Sequence, residues 1–223
     1  MRPLVPILHL AAGHHGGQVA VLKLAENGHA QADLSKVPAD RLLSVMTRCV
    51  FNAGFNWKVI DAKWDGFEAA FEGFDPAKLA FFGEEMMDDL VSDARIVRNG
   101  QKIKATLENA RMVAEIEQSE GGFGRFLATW PADDQVGLMH ALNTRGSRLG
   151  GATGQYFLRF CGWDAWITSR DVCVALVREG VLDKPMATSK RDLGKVQAAI
   201  NHWHSGSGLP RAAISRILAL SVG

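Results

Sequence analysis

Apolar residues recur at helical spacing along nearly the whole chain, and runs that alternate between apolar and polar residues are scarce. The segment 38–53 is the clearest case, because its apolar positions mark one wide face of a helix. Those positions are Leu42, Leu43, Val45, Met46, Cys49, Val50 and Ala53. The pattern predicts an all-α protein in which this face is buried.

Turn residues divide the middle of the chain into further predicted helices. Asp75 is an N-cap with a proline in the next position, and it predicts a short helix that ends at Gly83. A second short helix is predicted over 84–91. The longest predicted helix follows Asn99 and ends at the break over 119–122.

The chain is expected to form one helical unit over residues 1–223, arranged in two lobes. A lobe boundary is indicated at 130–134, where Trp-Pro-Ala-Asp-Asp introduces the next helix. Two helices should close the chain, one from Ser189 and one from Pro210, with a break over 204–208 between them.

Residues 134–162 follow the pattern helix, glycine-rich turn, helix, and we interpret them as a helix-hairpin-helix element. Glycines in such a turn permit positive φ and let backbone N–H groups at the start of the second helix meet a phosphate. The residues expected to bind DNA here are Arg145, Arg148, Gly150, Gly151 and Thr153. A glycine turn between helices is also common as a plain connector, and spacing alone does not separate the two interpretations.

The composition fits a soluble globular protein, with 47% hydrophobic and 22% charged residues. The net charge is only +1, so any surface for nucleic acid must be a local basic patch. The three cysteines form no CxxC pair, which suits neither a disulfide framework nor a zinc ribbon. The N-terminus resembles a signal peptide poorly, and no apolar run reaches the roughly 18 to 20 residues of a membrane span. These features favour a soluble protein inside the cell.

From Arg41 to about Gly162 the chain resembles the 3-methyladenine DNA glycosylase I family, in the same order and with similar spacing. The similar motifs in the first half are Ala-Gly-Phe-Asn-Trp at 53–57, the phenylalanines Phe67, Phe71 and Phe74 with Asp-Pro after the last, and Leu-Val-Ser-Asp-Ala-Arg-Ile-Val-Arg at 90–98. They continue with Gln-Lys-Ile at 101–103, Asn-Ala-Arg at 109–111, and Arg145-Gly146 together with Gly151, Thr153 and Tyr156. Several motifs in one order are far more specific than any one of them.

The resemblance implies a two-lobed helix-hairpin-helix glycosylase fold, with a pocket between the lobes for a base flipped out of double-stranded DNA. Trp57 would stack near that base, while Gly54 and Phe55 would fill the gap left in the duplex. The residues expected around the base are Cys49, Phe51, Asn52 and Trp57. The alternative is that Phe55 and Trp57 are core aromatics.

Two features depart from the family. The family's zinc ligands are paired Cys and His residues near the two chain ends. Here no cysteine precedes Cys49 or follows Cys173, so no metal is expected. The histidine pairs 14–15 and 202–204 should then face solvent. The family's pocket glutamate corresponds to Cys49, which cannot supply a charged acceptor. Specificity for 3-methyladenine is therefore in doubt. The simpler interpretation of Cys49 is an apolar residue on the buried face of its helix.

Asp171 resembles the aspartate that the wider helix-hairpin-helix superfamily places shortly after the hairpin. A carboxylate there would stabilise positive charge on the sugar or orient water. Alternatively, Thr168 or Ser169 caps a helix over 170–179 and Asp171 favours its positive first turn. The superfamily's lysine nucleophile would sit within the hairpin, and here no lysine lies between Leu149 and Gly154. The resemblance therefore implies a monofunctional enzyme with water as the nucleophile, and no cofactor is expected.

Arg98 and Lys102 lie near the start of the longest predicted helix. The resemblance assigns them to the DNA face or to packing between lobes, and without it a solvated helix start is the simpler interpretation.

The favoured function is a DNA glycosylase of base excision repair that hydrolyses the N-glycosidic bond of an alkylated purine. It would act as a monomer on double-stranded DNA with a damaged base, in the cytoplasm at the nucleoid, and not on a membrane. The alternatives are a non-catalytic DNA-binding or damage-sensing protein on the same fold, and a helical interaction protein without affinity for nucleic acid.

Overall fold

The structure, a computed structural model, describes residues 2–26 and 32–223. Over these residues the regular secondary structure is helical, with short 3-10 turns at Leu34–Lys36 and Glu72–Phe74, so the prediction of an all-α protein is confirmed. The α-helices are α1 (Val5–His14), α2 (Gln18–Glu26), α3 (Ala39–Asn52), α4 (Trp57–Ala62), α5 (Trp64–Ala70), α6 (Pro76–Leu79), α7 (Glu84–Ser92), α8 (Gly100–Ser119), α9 (Phe123–Thr129), α10 (Gln135–Arg145), α11 (Gly151–Cys161), α12 (Arg170–Arg178), α13 (Lys190–Ser207) and α14 (Arg211–Leu220). Among the described helices, none is both long and apolar enough to cross a lipid bilayer.

The chain divides into two compact units. The central unit comprises 32–130 and 139–157, and the terminal unit comprises the N-terminal segment, 131–138 and 158–223. One boundary falls between Trp130 and Pro131. Two further boundaries fall within α10 and α11.

The core of the central unit forms around α3 and α8, which pack against each other. The apolar stripe of α3 is buried as its spacing predicts. Beside it, four aromatic rings stack nearly parallel, with centroids 5.1 to 6.1 Å apart and interplanar angles of 9° to 16°. The rings belong to Trp64, Phe67, Phe71 and Phe74. The phenylalanines of the motif noted in the sequence, Phe67, Phe71 and Phe74, therefore pack in the core.

The terminal unit is built on α14, which packs against α1, α2, α12 and α13. Helix α1 was not predicted from the sequence, and it contains a proline. Pro6 lies in its first turn, where a missing N–H costs nothing because the first four N–H groups of a helix have no partner within it. Ile7 and Ala11 of this helix are fully buried.

The N-terminus is tied to the rest of the terminal unit by a buried carboxylate. Glu179, whose side chain is 1% exposed, accepts hydrogen bonds from the guanidinium groups of Arg2 (2.7 Å) and Arg178 (2.9 Å). Arg178 also donates to the backbone and side-chain oxygens of Ser221 at 2.8 and 2.7 Å. The indole of Trp203 donates to the carbonyl of Arg2 at 3.0 Å. Both ends of the chain are thus held by one network.

Two predicted helix ends were wrong. Helix α6 ends at Leu79 and does not reach Gly83. Helix α13 continues through the predicted break and ends at Ser207, where Gly208 takes a left-handed conformation (φ 71°) and its N–H bonds to the carbonyl of His204. A single glycine beyond the last turn ends a helix more sharply than serines and glycines inside it.

Glu179→Gln should destabilise the protein at neutral pH by about 1–2 kcal/mol, since both arginines would lose a charged acceptor. Burial alone would raise the pKa of Glu179, but the hydrogen bonds from Arg2 and Arg178 outweigh it and hold the pKa below its ordinary value. A depressed pKa contributes stability above the unfolded value of about 4.3, and this is lost as the pH falls through the folded value. Urea unfolding of both proteins at pH 7 and pH 3 should show the difference shrinking at pH 3.

Asp183→Asn is the matched control. Asp183 pairs with Lys195 at 3.0 Å, but its side chain is 89% exposed, so its loss should change the free energy of unfolding very little. An equal destabilisation of Glu179→Gln at both pH values would contradict the assignment of this network.

Candidate functional site

The loop 53–56 joins α3 to α4, and both of its ends are fixed by hydrogen bonds. The N–H of Ala53 bonds to the carbonyl of Cys49 at 3.2 Å. At the other end, the side chain of Asn56 caps α4 by accepting from the N–H of Lys58 at 3.0 Å. Gly54 between them has φ 75°, a conformation that disfavours any residue with a Cβ. The turn therefore requires glycine at this position.

Two large aromatic side chains at this loop are open to solvent. Phe55 is 40% exposed and Trp57 is 42% exposed, so the interpretation of both as core aromatics is wrong. Trp57 meets Tyr156 of α11 edge to face, with ring centroids 5.7 Å apart and an interplanar angle of 76°. Exposed aromatic rings held in this way present surface on which a nucleic-acid base can stack.

The other residues expected at the base are buried at the end of α3. Cys49 lies on the buried stripe, as its apolar interpretation predicted. Phe51 is fully buried and packs edge to face against Phe67 at 4.7 Å. Asn52 is 4% exposed, and its side-chain oxygen is buried without a hydrogen-bond partner. An unsatisfied buried acceptor costs about 1–3 kcal/mol, which makes Asn52 unusual among these residues.

Lys102 is 6% exposed, so its interpretation as a solvated residue at a helix start is wrong. Its ammonium group donates to the carbonyls of Phe51 (2.8 Å) and Ala53 (2.6 Å) at the end of α3. The same group lies 4.3 Å from the centre of the Phe55 ring. Burial and, after it, the nearby guanidinium of Arg148 lower the pKa of Lys102.

The turn between α10 and α11 is held by Asn109 of α8. The fully buried amide of Asn109 accepts from the N–H of Ser147 at 2.7 Å and donates to its carbonyl at 3.1 Å. Gly146 packs so closely against Asn109 that a Cβ there would lie 2.7 Å from the amide oxygen. A Cβ at Gly154 would collide with the carbonyl of Leu149. The glycines thus allow close packing of the turn.

The residues expected to meet phosphate at this turn have different surroundings. Arg148 is exposed, has φ 57°, and donates to the side chain of Gln101. Gly150 and Gly151 are exposed, and Thr153 is half-buried in the first turn of α11. The first turn of a helix carries free N–H groups and partial positive charge, so this edge suits an anion.

Arg145 has partners within the protein. Its guanidinium bonds to Glu120 at 2.6 Å, lies 3.5 Å from Glu115, and sits 5.7 Å from the Phe126 ring. Arg98, by contrast, is exposed. Of the two, Arg98 is the more available to a phosphate.

Asp171 belongs to the terminal unit and lies exposed in the first turn of α12. The side chain of Ser169 caps this helix by accepting from the N–H of Val172 at 3.3 Å. The predicted capped helix is confirmed, with its end one residue short of Glu179. Asp171 is therefore placed where its charge complements the helix, and its side chain is open to solvent.

Sequence reasoning gave no role to Asn109 or Tyr156, although both stood in motifs of the resemblance. The available signal was chemical: Asn109 is an amide on the apolar face of the longest helix, and such a group must find partners when it is buried.

Within the described residues, no group of three or more His, Cys, Asp and Glu side chains is placed to hold a metal ion. Of the histidines expected in solvent, His14 and His202 are exposed, while His15 and His204 are half-buried. A ring nitrogen of His204 bonds to the carbonyl of Leu209 at 2.8 Å.

Residues 36–146 match the family model for methyladenine glycosylase. The chain is 33% identical over 129 residues to DNA-3-methyladenine glycosylase 1 of Escherichia coli (strain K12). The aligned region covers 49% of this chain and 69% of that relative. The match to the family model ends before Asp171 and includes Cys49, the loop 53–56 and Lys102.

Solved structures share the fold. A crystal structure of 3-methyladenine DNA glycosylase I has a TM-score of 0.51 and 25% identity, covering 64% of this chain and 88% of its own. A structure of the enzyme from Staphylococcus aureus has a TM-score of 0.53 and 22% identity, with coverage of 69% and 92%. A variant solved in complex with 3-methyladenine has a TM-score of 0.52 and 23% identity, with coverage of 64% and 86%.

Gly154→Ala should lower the melting temperature by several degrees, because the added methyl group collides with the carbonyl of Leu149 and the turn must open. The matched control is Gly194→Ala in α13, where a Cβ meets nothing within 4 Å. That change should raise stability by about 0.5–1 kcal/mol, since alanine favours the helix. Thermal unfolding followed by circular dichroism measures both, and an unchanged Gly154→Ala would contradict close packing of the turn.

Proposed function

The chain belongs to the methyladenine glycosylase family, and we propose that it is a monofunctional DNA glycosylase that hydrolyses the N-glycosidic bond of a 3-methyladenine-like purine. The observation that carries this proposal is the match over 36–146, which includes the exposed aromatic loop 53–56 and α10 and ends at Gly146, where the hairpin turn begins. The enzyme starts base excision repair by releasing the damaged base from double-stranded DNA. It works as a monomer in the cytoplasm, where the nucleoid offers its substrate.

DNA is held through its backbone at the turn between α10 and α11. The edge formed by the exposed Gly150 and Gly151 and the half-buried Thr153 offers backbone N–H groups at the positive end of α11. Arg148 and Arg98 are exposed and add positive charge. Contacts of this kind position the protein without reading sequence, which suits an enzyme that must find rare lesions anywhere. Arg145 supports the turn through its ion pairs and is secondary as a phosphate ligand.

The loop 53–56 enters the duplex. Gly54 and Phe55 fill the gap that the flipped nucleotide leaves, and the exposed Phe55 ring restores stacking to the neighbouring bases. Trp57, held by Tyr156, stacks near the base. Flipping costs a few kcal/mol and costs least for a damaged base, so the loop's interactions favour lesions over normal pairs.

The base is recognised without a buried carboxylate at Cys49. Phe51 lies behind the base pocket as a core residue, and Asn52 supplies a neutral acceptor, because its side-chain oxygen has no partner inside the protein. A neutral acceptor discriminates a cationic purine less strongly than a carboxylate does. Shape, stacking and the cost of flipping therefore carry more of the specificity here.

Asp171 is the catalytic carboxylate. Departure of the base leaves positive charge on the sugar, and an ionised aspartate close to it stabilises that charge and orients the attacking water. Its exposed position at the start of a capped helix keeps the carboxylate accessible.

Asp171→Asn should reduce the single-turnover rate of base release from methylated duplex DNA by about 100-fold or more, because the amide carries no charge. Chromatography of the released purines measures the rate. Asp192→Asn is the matched control, since it removes an aspartate from the first turn of α13 in the same unit and should leave the rate within about threefold. Full activity in Asp171→Asn would refute its role.

Absence of base release by the wild type from every methylated purine would contradict the enzymatic function. Tight binding to an abasic-site analogue under those conditions would favour the second candidate, a damage-sensing protein, which the cysteine in place of the pocket glutamate makes worth testing.

Borohydride treatment during the reaction should trap no covalent complex between enzyme and DNA. The hairpin segment 146–154 contains no lysine, so water is the nucleophile and no Schiff base forms. Denaturing gel electrophoresis of the products, with a bifunctional glycosylase as the positive control, provides the measurement. A trapped complex would show that a lysine elsewhere acts as nucleophile and that the enzyme is not monofunctional.

A further inference from the structure

We propose that Lys102 is a positioning residue for base flipping, in which its ammonium group fixes the loop 53–56 in the shape that enters the duplex. The inference rests on the proposed glycosylase function and assigns Lys102 to the protein's own backbone instead of to a DNA phosphate. Three features of the site support it: the carbonyl groups at the end of α3, the electrostatics of α8, and the place of the Phe55 ring.

The carbonyl groups at the end of α3 have no partners within the helix, as at every helix C-terminus. The loop satisfies two of them itself, because Ala53 N–H bonds to Cys49 and Phe55 N–H bonds to the carbonyl of Asn52 at 3.1 Å. The carbonyls of Phe51 and Ala53 receive their hydrogen bonds from Lys102. A side chain some 50 positions away thus completes the turn on which Phe55 is carried.

Lys102 is poorly placed for its own helix. It lies in the first turn of α8, where Asn99 caps the helix and the partial charge is positive. Arg148 adds a second positive charge nearby, and burial further disfavours the ammonium form. No ion pair of the described residues includes Lys102. Stability of α8 therefore does not explain a lysine at this position.

The same ammonium group is well placed for the loop. It faces the negative end of α3, which favours a cation. It also lies 4.3 Å from the centre of the Phe55 ring, within the range of a cation–π interaction. A partly exposed phenylalanine after a glycine would otherwise sample several positions. The lysine restricts both the backbone of the loop and the ring it carries.

A phosphate contact explains the site less well. Only 6% of Lys102 is accessible, and two of its three donors are already used by carbonyl groups at 2.6 and 2.8 Å. Arg148 and Arg98 are exposed and fit that role better.

The test compares Lys102→Met, Phe55→Leu and the double variant with the wild type. Lys102→Met should slow single-turnover base release by roughly ten- to a hundredfold, the scale on which small misplacement of a reacting group costs rate. It should weaken binding to a duplex with a tetrahydrofuran abasic analogue by about tenfold, the scale of one lost favourable contact. Affinity for undamaged duplex and its dependence on salt should not change. The double variant should be no worse than the poorer single one, since the lysine acts through the loop.

Lys104→Met is the matched control, because Lys104 lies on the same helix, has a side chain that is 71% exposed, and pairs with Glu108 at the helix surface. Its base release and binding to abasic duplex should match the wild type.

Three results would overturn the proposal. The first is an unchanged rate of base release in Lys102→Met, and the second is additive losses in the double variant. The third is a lower affinity of Lys102→Met for undamaged duplex with a salt slope reduced by about one, which marks a lost phosphate contact. If Lys102→Met does not fold, Phe55→Leu decides, and unchanged discrimination between abasic and undamaged duplex in that variant counts against the proposal. A wild type that releases no base refutes the proposed function, while the binding comparison still tests Lys102.

Discussion

Every buried carbonyl group must find a donor, and in the central unit one helix supplies donors to three separate segments. Helix α8 holds the end of α3 through Lys102, the hairpin turn through Asn109, and the chain before α7 through Arg111, which donates to the carbonyls of Ala80 and Phe82 at 3.2 and 2.9 Å. The loop that carries Phe55 and the turn that we propose binds DNA are therefore both held in place by the same helix. Irregular backbone fixed in this way can be functional without being mobile.

Local patterns were sufficient to predict most of the helical framework. The stripe of α3, the cap at Asp75 and the start of α8 after Asn99 each depend on residues within a few positions, and the structure agrees with all three. Errors arose where a proline, glycine or serine that often interrupts a helix did not interrupt it at that position. Pro6 suits the first turn of α1, and Gly208, beyond the last turn of α13, ends that helix where internal serines and glycines do not.

The candidate site was predicted less well, because its side chains find partners far away in sequence. Arg145 is 25 to 30 residues from the glutamates that bind it, and Lys102 is about 50 residues from the carbonyls it serves. Spacing shows that a cation lies near a turn, but it cannot show whether the protein already supplies the anion. The interpretation of Phe55 and Trp57 as core aromatics was wrong for a different reason. Residue type alone favours burial of aromatic side chains, whereas the exposure of these two depends on the geometry of the loop.

The cysteine at position 49 changes how selectivity can arise. A carboxylate in the pocket would attract a positively charged methylated purine directly, whereas a buried thiol and the amide oxygen of Asn52 offer only neutral contacts. Under the proposed function, discrimination would then come from steps before recognition in the pocket. The free-energy cost of unstacking is lowest for a damaged base. A preformed loop therefore inserts most favourably where the base pair already opens easily. An ordered Phe55, held by Lys102, thus becomes more important in this chain than it would be beside a charged pocket.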